Sequence, residues 1–182
     1  MANKKEELEY GVFFIERLNK IYGFDYKVLL NEEENKYDRD TDVYGISKSN
    51  SSDRIKIQIA TNEKELKEIF AHQRNEIKKN GKINYLKCID FDVGKWTSEA
   101  IARKENKYSN PEELILLITG ISPLFNENNK DFIRKKFGNF DNSRFKGIYF
   151  ANLPTIKENS NRPHDGQIIM VKSAFNDDRI VL

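Results

Sequence analysis

The sequence predicts a single α/β domain, and three observations predict it. Apolar residues recur at helical spacing in two strongly charged segments, other short segments alternate or run continuously apolar, and the two kinds of segment alternate along the chain. With 182 residues and no Pro/Gly/Ser-rich linker, residues 1–182 read as one domain with room for a filled core. Charged residues make up 33% and apolar residues 38%, a balance that suits a soluble globular protein.

The first element is an amphipathic helix over residues 4–22, where Leu8, Val12, Ile15, Leu18 and Tyr22 form a stripe and Gly23 supplies the stop. FDYKVLL, residues 24–30, alternates like a strand and runs into the acidic loop NEEENKYDRD. Two further strands flank a polar loop between Asp40 and Thr61. In the second of them Ile55, Ile57 and Ile59 share one face, so Lys56, Gln58 and Ala60 share the other.

Asn62 caps a second helix that carries Glu65 three residues later, apolar positions Leu66, Ile69, Phe70 and Ile77, and a terminating Gly81. A strand is expected over 83–91 and a helix over 97–109, the latter opened by a Thr or Ser cap. After Pro111 the run ELILLITG has the continuous apolar character of a strand covered on both sides. A helix around Asp131–Phe137, strands over 144–152 and 166–173, and a loop between those strands complete the reading.

Composition narrows the chemistry. The net charge of +2 does not announce a nucleic-acid binder, and the local basic runs at 48–54, 78–82 and 134–136 have the ordinary character of solvated faces. One cysteine, Cys88, excludes an intrachain disulfide and a thiolate zinc cluster. Two histidines, His72 and His164, are too few for a histidine-rich metal site. Phosphate-binding loops, dinucleotide fingerprints, nucleophile elbows and zinc-protease motifs are all absent. With no apolar signal core and no membrane-length apolar run, a cytoplasmic protein that makes no membrane contact is expected.

Carboxylate chemistry is what remains, and it centres on the strand pair. Mg²⁺ takes hard oxygen ligands and keeps several waters, so one or two side-chain oxygens and a backbone carbonyl suffice to hold it against a phosphate. Asp42 at a strand start, the amide oxygen of Gln58 and the carbonyl of Ile59 are the candidates, and Mn²⁺ would fit the same set.

With Asp42 on the second expected strand and Gln58 near the end of the third, the order helix, strand, strand, strand, helix, strand resembles the PD-(D/E)XK, or restriction-endonuclease-like, nucleases. The resemblance spans roughly residues 4–120. It implies an α-β-β-β-α-β core, a central mixed sheet flanked by helices with additional C-terminal strands, and a Mg²⁺-dependent endonuclease of restriction type acting on double-stranded DNA. Cutting both strands implies a homodimer.

The family's Asp, Glu or Gln, and Lys positions fall on Asp42, Gln58 and Ala60. The resemblance also implies an acidic metal ligand from the first helix, for which Glu9 is the candidate, with Glu6 and Glu16 competing. Ala60 is the departure: an alanine can neither orient nor deprotonate water, and losing such a participant costs a factor of about 10² to 10⁴. The chain is therefore expected to cleave poorly or not at all.

Three accounts of Ala60 stand open: an introduced inactivating change, a natural loss in a binding-only descendant, or replacement of the amine by Lys56, Lys64 or Lys67. The alternative function is a non-catalytic nucleic-acid-binding or protein-binding member of the same fold, in defence or in a phage. Were DNA the ligand, Lys48, Asn50, Lys56, Gln73, Arg74, Lys104 and Arg162 are the residue types and placements to meet phosphates and base edges. Without a nucleic-acid role, Asp42 caps a turn and Gln58 is an exposed strand residue.

Overall fold

The computed structural model describes residues 4–31, 40–61, 71, 74–75, 77–81, 98–99, 101–119, 140, 142–154, 165–177 and 182. Helix α1 spans Lys4–Tyr22, with Glu6 and Glu7 in its first turn and Lys20 in its last, the charge order that complements the helix dipole. It ends at Gly23, which takes a φ of 69° and donates its N–H to the Asn19 carbonyl at 3.0 Å, a left-handed stop that glycine adopts without strain. The buried stripe is Gly11, Phe14, Ile15 and Leu18. Leu8, expected within the stripe, is 37% exposed. The helix is rotated from the expected setting because Phe14 is fully buried, edge-on to Tyr149 with ring centroids 4.9 Å apart.

Among the described residues six strands follow: β1 (Tyr26–Leu30), β2 (Val43–Ser47), β3 (Arg54–Thr61), β4 (Leu114–Thr119), β5 (Gly147–Asn152) and β6 (Gln167–Lys172). They form one sheet in sequence order. β1, β2 and β3 are a meander of antiparallel neighbours, β4 and β5 add in parallel to β3 and to each other, and β6 returns antiparallel. The sheet is therefore mixed, as expected, and helices flank it. Every residue of β4 and of β5 is buried, which is why their sequences read as unbroken apolar runs instead of alternating.

Two cores result, one on each sheet face. On the first, α1 packs Phe14, Ile15 and Leu18 over Val43, Ile55, Ile57, Ile59, Ile115, Leu117 and Tyr149. On the second, Ala60, Leu114, Leu116, Ile118, Ile148 and Phe150 are covered by Ile101 and Tyr108. Residues 98–99 and 101–107 are helical; the helix that includes them is called α3 here. Helical residues at 71, 74–75 and 77–80 mark α2, which stops at Gly81 as expected, the Gly81 N–H donating to the Ile77 carbonyl at 2.9 Å. The strand expected over 83–91, the helix around 131–137 and most of the loop between β5 and β6 lie outside the described residues.

One close approach sets the geometry of the candidate site. A Cβ at Gly11 would stand 2.7 Å from Val43 Cγ1, so α1 rests on β2 at a distance that glycine alone permits. Gly45 makes the matching allowance on the strand, where a Cβ would meet Ile15 Cδ1 at 2.6 Å. Glu7 lies one helical turn before Gly11 and Asp42 lies immediately before Val43. The contact that docks the helix thus brings the two carboxylates to the same end of the sheet.

Candidate active site

Asp42 is fixed by its own backbone before its side chain is considered. Its N–H donates to the Ile57 carbonyl at 2.9 Å and its carbonyl accepts from the Asn31 N–H at 3.0 Å, which clamps it between the end of β1 and β3. β2 pairs no further than Val43 with Ile57, so the N–H of Ile59 on β3 has no strand backbone opposite it. The Asp42 carboxylate fills that place, Oδ2 accepting from Ile59 N–H at 2.7 Å.

Gln58 meets the same carboxylate. Its Nε2 donates to Asp42 Oδ2 and to the Ile59 carbonyl at 3.1 Å. Asp42, Gln58 and the Ile59 carbonyl, singled out separately in the sequence, therefore converge. Gln58 is buried at 6% exposure, so it is not the exposed strand residue of the reading without a nucleic-acid role: Ile101 and Tyr108 of the α3 segment cover the same sheet face at Ala60.

The electrostatics of the cluster follow from burial. Burial pushes the Asp42 carboxyl up to about 6; the Ile59 N–H opposes the rise, Glu7 adds to it, and Lys104 and Lys107 oppose it. Glu7 is raised too, chiefly by burial, with Lys4 and then Lys104 among the groups that lower it. Lys104 is half-buried and its ammonium is lowered, chiefly by burial and by Lys107, with Asp42 and Glu7 supporting the charge. Its Nζ donates to Tyr108 Oη at 2.9 Å. Tyr108 is raised by burial and by the charges of Asp42 and Asp40, and the next residue, Ser109, donates its N–H to Asp40 Oδ2 at 3.3 Å. The C-terminal turn of α3 is thereby tied to the Asp40–Asp42 segment.

The acidic residue that α1 brings to Asp42 is Glu7, not Glu9. Glu9 is exposed, as is Glu6, whereas Glu7 is half-buried and coupled to Asp42. The signal for it was Gly11: within a 19-residue helix, the one residue without a side chain marks the contact, and the carboxylate one turn earlier shares its face.

Ala60 is 5% exposed and packs with Ile101, Tyr108, Leu116 and Ile118. Lys56, one of the lysines considered for the missing amine, pairs with Glu113 at 3.0 Å. Lys64 and Lys67 lie outside the described residues.

Of the residues suggested for DNA, Lys48 and Asn50 are exposed in the β2–β3 loop, at the opposite end of β2 from Asp42. Arg74 is exposed on α2, Gln73 and Arg162 lie outside the described residues, and Lys104 stands at the carboxylates. Among the described residues of that set, Lys104 is the one that interacts with the carboxylates.

Among the described residues no group of three or more His, Cys, Asp and Glu side chains is arranged to hold a metal, and no helix is long and apolar enough to cross a membrane. The oxygen set still suits a hard cation. Gln58 Nε2 sits between Asp42 Oδ2 and the Ile59 carbonyl, a positively polarised group between two oxygens, and a cation shared by those oxygens would replace it. Comparison with protein-family models, with curated proteins and with solved structures returns no match for this chain.

Proposed function

We propose that the chain is a metal-dependent endonuclease of restriction type that hydrolyses phosphodiester bonds in DNA at the Asp42 site. The observation that carries this reading is the convergence of Asp42, Gln58 and the Ile59 carbonyl, with Glu7 beside them, at an end of the sheet where burial holds a carboxyl at about 6. A carboxylate that merely ends a strand does not need a second half-buried acid brought next to it. A buried carboxyl whose proton affinity a neighbouring acid raises further is stabilised as the ion by a divalent cation, and that is a functional arrangement more often than a structural one.

Asp42, Glu7 and the Ile59 carbonyl would hold Mg²⁺ or Mn²⁺, joined by the Gln58 amide oxygen once the amide turns its nitrogen away, with waters completing the shell. When bound, the ion supplies positive charge to the non-bridging oxygens of the scissile phosphate and favours ionisation of a water. The chain's own contribution is placement. The backbone clamp on Asp42 fixes its carboxylate, the Gly11 contact fixes Glu7, and the sheet behind them excludes solvent from one side.

Incubating the purified protein with supercoiled plasmid, single-stranded DNA and RNA in Mg²⁺ or Mn²⁺ tests the reading. Metal-dependent nicking that disappears with EDTA and in Asp42→Asn supports it; no cutting of any polymer in either metal counts against it. A binding-only protein of the same fold is the second reading, favoured by the apolar packing of Ala60, which leaves β3 without an amine here. Such a protein would retain nucleic acid in EDTA and lose it with rising salt.

A further inference from the structure

We propose that Lys104, reaching the site from α3, is the catalytic amine of this protein, and that the chain cuts as it stands despite Ala60. The inference rests on the nuclease reading of the Asp42 site and assigns a residue within it. Ile101, Lys104 and Tyr108 recur at i, i+3 and i+7, one face of a helix. Ile101 and Tyr108 pack in the same buried cluster as Ala60, so the residue between them on that face is carried over β3 at Ala60. The Lys104 Nζ is held there by Tyr108 Oη at 2.9 Å, and Tyr108 is tied to the Asp40–Asp42 segment through its neighbour Ser109.

Charge points the same way. Lys104 interacts through space with both Asp42 and Glu7, which among the described residues makes it the lysine common to the two acids. The small side chain at position 60 is then accounted for: it gives room to the turn of α3 that delivers the amine. Arg103, the preceding residue, is exposed and makes a natural control.

In the step itself, a water oxygen forms a bond to phosphorus while the bond from phosphorus to the leaving nucleotide oxygen breaks, the electron pair departing with that oxygen. The water's proton passes to solvent and the leaving oxygen takes one from solvent. Lys104 remains an ammonium, donating hydrogen bonds to the attacking water and to a non-bridging oxygen as charge builds there. Removing one such donor typically lowers kcat by about 10² to 10³.

The test compares wild type, Lys104→Met, Lys104→Arg, Ala60→Lys/Lys104→Met, Arg103→Met and Asp42→Asn by plasmid nicking in Mg²⁺ and by calorimetric titration of the free proteins with Mg²⁺. The expected result is active wild type, a loss of about 100-fold or more in Lys104→Met, and recovery of at least about tenfold when a lysine is returned at position 60. Without nucleic acid, Lys104→Met binds Mg²⁺ several-fold more tightly, because a cation beside the carboxylates is gone, while Lys104→Arg and Arg103→Met bind as wild type. Wild-type cutting and Mg²⁺ affinity in Lys104→Met, with Asp42→Asn inactive, overturn the assignment and leave the nuclease reading standing. A wild-type protein that neither binds Mg²⁺ nor cuts removes both.

Discussion

The two ends of the β2–β3 hairpin each hold a carboxylate, and the two are treated oppositely. At the loop end, Asp25 Oδ1 accepts from Ser47 Oγ at 2.7 Å and Oδ2 from the Ser49 N–H at 2.9 Å. Those bonds, the Ser47 hydroxyl first, hold its carboxyl below the ordinary range. Ser47 Oγ also accepts from the Asn50 N–H at 3.1 Å, and Asp53 accepts from Tyr26 Oη at 3.1 Å. The Asp25 charge is thus met by hydrogen-bond donors from within the fold. At the other end, burial, and after it Glu7, works against the charge on Asp42, and outweighs the Ile59 N–H, Lys104 and Lys107, which favour it. The net penalty on the Asp42 charge is what the proposed cation would offset.

Substitution of the two acids gives the largest contrast. Asp42→Asn is expected to lower metal-dependent cleavage by about 100-fold or more, whereas Asp25→Asn leaves the rate near wild type; initial nicking rates measure both.

The pH dependence of stability should also carry opposite signs. The folded-state value of Asp42, about 6, lies above its ordinary 3.8. Its favourable contribution is therefore fully present below 3.8 and is lost as pH rises through about 6. The difference amounts to roughly 3 kcal/mol between the two ends of that window. Urea denaturation at pH 7 without metal should accordingly find Asp42→Asn more stable than wild type, and the advantage should shrink toward pH 4. Asp25, held low, does the reverse: it supports the fold above the ordinary carboxylate range and stops doing so as pH falls through its lowered value.

Gly11→Ala sharpens the comparison by loosening one end only. The new methyl must move either α1 or the buried Val43, at a cost of about 1–3 kcal/mol. The same displacement carries Glu7 away from Asp42, so Mg²⁺ affinity should fall along with the urea midpoint. Ser47→Ala, at the loop end, should cost about 1–2 kcal/mol and leave Mg²⁺ affinity unchanged.

Local pattern made most of the described fold legible. α1, the meander, the apolar β4 and β5, and the returning β6 are where alternation, apolar runs and turn residues put them. The rotation of α1 was not legible, because Leu8 and Phe14 are equally apolar and tertiary packing alone chooses between them. Within the site, Asp42 and Gln58 could be picked out since their strand register follows from the isoleucine alternation. Glu7 and Lys104 could not be placed, because each sits among several like charges on a helix and only docking decides which turns toward Asp42. Gly11 was the overlooked clue for the first. The spacing of Lys104 between Ile101 and Tyr108 was the clue for the second.

The central claim is that Asp42 is a carboxylate held out of its preferred state for a cation to complete. Following the Asp42 side-chain carboxyl carbon by NMR from pH 3 to 8, with and without Mg²⁺, tests it without knowledge of the substrate. The account predicts a midpoint near 6 in the free protein and a marked downward shift when Mg²⁺ is added, with the Asp25 midpoint low and unmoved. A midpoint at the ordinary carboxylate value, indifferent to Mg²⁺, would contradict it.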